Sequence, residues 1–160
     1  MNLREILDQS SVVLDLGGAT KREILERLSA PLAGINSAIG EGELVEVLLK
    51  REQDSTTAIA DGIALPHGRV VMKESPEDVV AGFGRSREGL DFDSVDGKPT
   101  HIFFVLVSPE DQPSLHMRWM AHLARLLKNP DLRKALVEAE SPEEILAAIE
   151  AEEQAQSSQQ

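Results

Sequence analysis

The run Ile102-Phe103-Phe104-Val105-Leu106-Val107 is apolar at every position. A strand wetted on one side alternates apolar and polar residues, so an unbroken run predicts a central strand covered on both faces. It ends at Ser108-Pro109, and a helical pattern follows. Leu115, Trp119, Leu123, Leu126 and Leu127 form its apolar stripe, Pro113 suits the first turn and Asn129-Pro130 stops it. Upstream, Val12 to Leu16 and Val79 to Gly84 read as further strands, with Gly82 and Gly84 marking a bulge or a close backbone approach. Helices are expected around Leu3, Ile6 and Leu7; from Thr20, with Glu23 at capping-box spacing, to a stop or kink at Pro31; and from Glu41 to Gln53. Ser55 to Val70 is rich in small, β-branched and turn-forming residues and reads as strand and loop. Two short helices, opened by Asn129-Pro130 and Ser141-Pro142, complete the pattern. The interleaving predicts an α/β fold with a mixed central β-sheet sandwiched by helices on both faces. Residues 1–150 are assigned to one domain, and 151–160, dominated by Glu, Gln, Ser and Ala, to a polar, disordered tail.

A chain of 160 residues with 41% apolar content can bury one substantial core. Without cysteine there is no disulfide framework, thiolate nucleophile or cysteine-ligated zinc. Sixteen basic residues against 28 acidic ones give a net charge of −12, which argues against nucleic acid as a partner. No run approaches the ~20 apolar residues of a membrane span. Glu5 and Asp8 stand where a signal peptide is apolar, so a cytoplasmic protein with no membrane insertion is expected.

Candidate nucleophiles reduce to four histidines. His67, between Pro66 and Gly68, sits on a constrained turn whose backbone amides could face an anion. The plain alternative is a loop histidine that satisfies a neighbouring carbonyl, and the local residues do not separate the two. His116 lies near the start of the helix after the central strand, where the helix dipole favours an anion. His122, beside the apolar stripe, and His101, next to Pro99, read as structural. His116 and His122 are six residues apart and share no helix face, and no His-Glu-x-x-His occurs, so no metal site is expected. Ser55, Ser94, Ser108 and Ser114 are explained by capping or turns, and no nucleotide-binding glycine pattern is present, so no cofactor is expected. Two histidines without metal or nucleotide suit reversible phosphoryl transfer to an imidazole nitrogen, since a neutral imidazole is nucleophilic without a separate base. Arg51 is a candidate for balancing phosphate charge, although a lone arginine also serves as a surface ion-pair partner.

The stretch Arg51-Glu-Gln-Asp-Ser-Thr-Thr-Ala-Ile-Ala-Asp-Gly-Ile-Ala-Leu-Pro-His67-Gly-Arg resembles the phosphorylation-site signature of fructose/mannitol-type IIA domains of the bacterial phosphoenolpyruvate-dependent sugar phosphotransferase system. The resemblance continues through Phe92-Asp93-Ser94-Val95-Asp96-Gly97-Lys98-Pro99, Phe103 to Val107 and the helix opening around His116, and so covers almost the whole chain. It implies that His67 is the phosphoacceptor, carrying phosphate on Nε2, that His116 is the second active-site histidine, and that Arg51 orders the site or balances its charge. It implies phosphorylated HPr, or its nitrogen-branch counterpart, as the donor, and no metal. Ala60-Asp61-Gly62 departs from the Gly-Asn-Gly of many relatives. With no permease, HPr-like or IIB segment in the sequence, the resemblance is greatest to stand-alone nitrogen-regulatory IIA proteins, whose phosphorylation controls binding to kinases or transporters. A fructose- or mannitol-specific component passing phosphate to a IIB protein is the alternative. A third reading, from a different class, is an interaction module that works without phosphorylation.

Overall fold

The computed structural model describes residues 1–35, 40–71 and 79–159. The described residues form five strands and five α-helices: β1 (Val12–Val13), α1 (Lys21–Ile35), α2 (Glu41–Asp54), β2 (Ile63–Ala64), β3 (His67–Val70), β4 (Val80–Leu90), β5 (Thr100–Pro109), α3 (Pro113–Leu126), α4 (Pro130–Glu138) and α5 (Pro142–Ser157). Short 3-10 turns at Leu3–Glu5 and Gln9–Ser11 precede β1. The sheet is mixed, as expected. β1 runs parallel to β4, β4 is antiparallel to β5, and β2 and β3 both lie parallel to β5.

The apolar run sits in the centre. Ile102, Phe104 and Leu106 face one core, with Trp119, Leu123, Leu136 and Ile145 of the later helices. Phe103, Val105 and Val107 face the other, with Leu25, Leu28, Leu32, Leu44 and Leu48 of α1 and α2. Period-two alternation therefore sends successive side chains to opposite cores. Edge-to-face pairs, Phe83–Phe104 at 5.0 Å and Phe92–Phe103 at 5.3 Å between centroids, lock β4 and the segment after it to β5. Each such pair adds about 0.5–1.5 kcal/mol beyond the area it buries. Gly82 and Gly84 are places of close approach: a Cβ on Gly84 would stand 2.5 Å from Leu28 Cδ2, so α1 packs directly on the β4 backbone.

Caps follow the sequence closely. Thr20, Asn129 and Ser141 accept from Glu23 N, Asp131 N and Glu144 N, while the Glu23 carboxylate turns to Ala19 N. Several expectations are corrected. α1 runs past Pro31 to Ile35, so of the two expectations for Pro31 the stop is the one overturned; Leu28 and Leu32 are buried on both sides of the lost hydrogen bond. β1 stops at Val13, where the next carbonyl, that of Leu14, is taken by Arg85 Nε at 3.0 Å instead of by a ladder partner. β4 continues to Leu90 through Arg85-Ser86-Arg87-Glu88. Arg85, 1% exposed, donates to the carbonyls of Leu14, Val137 and Ala139 and so ties the sheet to the end of α4.

The polar tail is not disordered through 159. α5 runs to Ser157, and Glu153 is buried at 8% exposure. Its carboxylate accepts from Leu3 N at 2.9 Å and contacts His122 Nε2 at 2.7 Å, partners that only the folded chain brings near. Gln160 lies outside the described residues. Glu153→Ala leaves a buried amide without its acceptor and should cost about 1–3 kcal/mol. Urea unfolding of the two proteins measures it, and Glu153→Gln, which retains a carbonyl acceptor, should lose less.

Candidate functional site

Pro66 lacks an N–H and separates β2 from β3, yet the register on β5 is unbroken across it: Ile63 faces Ile102, Ala64 faces Phe103, and His67 faces Leu106. The Pro66 carbonyl still accepts from Leu106 N at 3.0 Å. His67 thus starts a strand whose position is dictated by the most buried strand in the sheet. β3 lies against α2 so closely that a Cβ on Gly68 would stand 2.6 Å from Val47 Cγ1. The positive φ angles of the preceding turn fall on Asp61 and Gly62, so Ala60 meets no left-handed backbone demand.

The approach to His67 is braced from two sides. Glu52, 4% exposed, accepts from Thr57 N at 3.0 Å and Lys21 Nζ at 3.0 Å and contacts the Thr57 hydroxyl. Thr56 Oγ1 donates to the Phe92 carbonyl at 3.0 Å, and Ser94 Oγ to the Ile59 carbonyl at 2.8 Å. The second recognisable stretch, Phe92 to Pro99, therefore braces the loop rather than supplying chemistry.

His67 and His116 meet. Their ring centroids are 5.3 Å apart, although 49 positions separate them in the chain (67 and 116). His116 stands in the first turn of α3, which starts just beyond β5, the strand that β3 pairs with. Both rings line an open cavity of about 760 Å³. Arg51, in the last turn of α2, lines it too, with its guanidinium donating to the Ser55 carbonyl at 3.0 Å. So do Lys50 and Arg69, with Asp54 and Glu110 as the acidic members and Val47, Met117 and Met120 as apolar ones. The three residues singled out from the sequence are thus together. His122 and His101 are elsewhere: one is packed against Glu153 and Trp119, and the other donates from Nδ1 to the Ser86 carbonyl at 2.9 Å.

Arg69 escaped the sequence reading. It is two residues beyond His67 on β3, and strand alternation puts both on one side. Ser108, whose place in the sequence suggests a capping or turn role, is fully buried and bonds His116 Nδ1. No local signal marks it, because the contact is made across the end of β5 and the first turn of α3.

His67 Nδ1 is 2.7 Å from the Leu65 carbonyl oxygen. A carbonyl only accepts, so in the neutral ring the proton is on Nδ1 and Nε2 is a free lone pair. Both readings of a loop histidine thus hold at once, since the carbonyl contact is what leaves Nε2 available. Burial pushes the His67 pKa below its ordinary 6.5, and the Arg51 charge pushes the same way, while the Leu65 hydrogen bond and Glu52 pull against them. His116 is lowered further, to about 4, by burial first and then by His67 and Arg69. Both rings are therefore neutral at pH 7, flanked by arginine charge. A neutral nucleophile beside fixed cations is suited to accept an anionic phosphoryl group.

The family model "Phosphoenolpyruvate-dependent sugar phosphotransferase system, EIIA 2" matches residues 5–152. The chain belongs to this family. Among its relatives, a nitrogen regulatory protein of Bradyrhizobium diazoefficiens is 32% identical over 136 residues, 85% of this chain and 86% of that one. The fructose-specific EIIABC component of Bacillus subtilis is 30% identical over 149 residues, 93% of this chain but 23% of that much longer protein. The crystal structure of the nitrogen regulatory protein IIA-Ntr from Neisseria meningitidis superposes with a TM-score of 0.82 at 31% identity, covering 92% of this chain and 98% of that one. Among the described residues no helix is long and apolar enough to cross a membrane.

The lowered pKa of His116 makes folding pH-dependent. The unfolded ring binds a proton near its ordinary 6.5 and the folded ring only near 4, so the unfolded state binds more protons between the two. The stability this group contributes is full above about 6.5 and is lost as the pH falls to about 4. Urea midpoints of wild type should fall over that interval, and those of His116→Gln should fall less.

Proposed function

We propose that the protein is a phosphohistidine carrier of the phosphotransferase system, with His67 as phosphoacceptor. The observation that carries this reading is the Leu65 carbonyl on Nδ1 of His67, which leaves Nε2 unprotonated on a ring that lines the cavity together with Arg51 and His116. The Nε2 lone pair attacks the phosphorus of a donor phosphohistidine. The new P–N bond forms as the donor's P–N bond breaks and its electron pair returns to the donor nitrogen. No proton has to leave Nε2, and the Leu65 carbonyl holds the Nδ1 proton while positive charge develops on the ring. Arg51 and Arg69 balance the transferring oxygens, and His116, neutral, serves as a hydrogen-bonding group.

The donor is phosphorylated HPr or its nitrogen-branch counterpart. The output is regulatory, a reading supported by the nitrogen regulatory relatives that match this chain along most of both lengths. Delivery to a IIB protein is the second reading, favoured by the fructose-specific EIIA component of Haloferax volcanii, 32% identical over 127 residues.

With phosphoenolpyruvate, Enzyme I and HPr, the protein should gain one acid-labile, base-stable phosphate, and His67→Ala should gain none. Equal labelling of the variant would displace the site. Phosphorus NMR should place the phosphate on Nε2. A purified fructose- or mannitol-type IIB should leave the label in place if the output is regulatory and discharge it if the protein serves sugar uptake. Arg51→Ala should slow transfer by roughly tenfold or more, the scale of one lost charge-assisted hydrogen bond of about 1.5–3 kcal/mol.

A further inference from the structure

The carrier reading assigns an acceptor but leaves open what makes His116 useful while uncharged. A neutral imidazole bears one proton on one of two nitrogens, and only the protonated nitrogen can donate to an anion. For His116 that choice is made outside the cavity. Ser108, the ninth residue of β5, is 0% exposed, and its hydroxyl is hydrogen-bonded to His116 Nδ1. Among the described residues no other acceptor is hydrogen-bonded to this hydroxyl.

Two arrangements fit the contact. If Nδ1 carried the proton and donated to Oγ, the serine proton would be left in a buried place without an acceptor, at a cost of about 1–3 kcal/mol. If the hydroxyl donates to Nδ1, the serine proton has its acceptor and the ring proton is on Nε2. The second arrangement is favoured, and Nε2 lies on the side of the ring away from Ser108. The ring itself lines the cavity and stands 5.3 Å from that of His67. His67 and His116 then hold opposite tautomers: one offers a lone pair at Nε2, the other a proton. The backbone sets the first and a buried side chain the second.

We propose that Ser108 is a positioning residue that donates its hydroxyl proton to Nδ1 of His116, so that the neutral His116 ring presents Nε2–H to the phosphoryl oxygens carried at His67. This rests on the carrier reading for its chemistry, though the tautomer itself does not. β5 thus contributes at two points. Leu106 fixes where His67 stands, and Ser108, in register with Arg69, fixes what His116 offers.

The test combines ring-nitrogen NMR of the unphosphorylated protein with rates of transfer from phosphorylated HPr. Wild-type His116 should show the pattern of a protonated Nε2 and an unprotonated Nδ1. Ser108→Ala should shift it toward protonated Nδ1 and slow transfer about tenfold, the equivalent of about 1.4 kcal/mol, while Ser108→Thr restores both. Wild-type His116 protonated on Nδ1, or Ser108→Ala transferring at the wild-type rate with its tautomer unchanged, would overturn the proposal. The wild-type spectrum alone decides the tautomer, so the proposal stays testable if Ser108→Ala fails to fold. A wild-type protein that takes up no phosphate would overturn the carrier reading instead, with the spectrum still deciding the Ser108 contact.

Discussion

The parallel pairing of β3 on β5 is the constraint from which the rest of the site follows. β5 is buried on both faces and cannot shift by one residue without exchanging its two sets of aromatic and aliphatic side chains between the two cores. A strand in register with it inherits that rigidity. His67 is opposite Leu106, so its ring is fixed relative to the end of β5 and to the helix that begins just beyond it. The Pro66 interruption costs one ladder donor but leaves the register intact, and the neighbouring Leu65 carbonyl meets the ring nitrogen.

The electrostatics are local rather than global. The chain carries a net charge of −12, yet the cavity brings Lys50, Arg51 and Arg69 around two uncharged imidazoles. Burial disfavours a fourth and fifth positive charge there, and the arginines add to the effect. The outcome is a pocket in which Lys50 and two guanidiniums are the permanent cations and both imidazoles stay uncharged. The acidic exterior offers a long-range attraction for a basic partner, while the phosphoryl group meets positive charge at the end of its path.

Much of this was legible in the sequence because the cues were local. An uninterrupted apolar run, apolar stripes at helical spacing, and Thr20, Asn129 and Ser141 as caps gave the layers and their order. The signature from Arg51 to Arg69 pointed to Arg51 and His67, and the helix opening beyond the central strand pointed to His116. What was hidden depended on partners far away in the chain. The far half of β4 reads as polar because its buried Arg85 is satisfied by carbonyls of Leu14, Val137 and Ala139. The end of α5 reads as a tail because Glu153 finds its partners at Leu3 and His122. Arg69 was one step of strand alternation away from being found, whereas Ser108 required knowing that the first turn of α3 folds back over the end of β5.

The clasp between Glu153 and the amide of Leu3 brings the beginning and the end of the fold within one hydrogen bond of each other, so that its topology is nearly that of a ring. For such an architecture the covalent starting point matters little to the sheet. A circularly permuted chain, opened at the exposed Asp96-Gly97 turn and joined across the clasp by a short linker, would keep every strand pairing and both imidazoles in place.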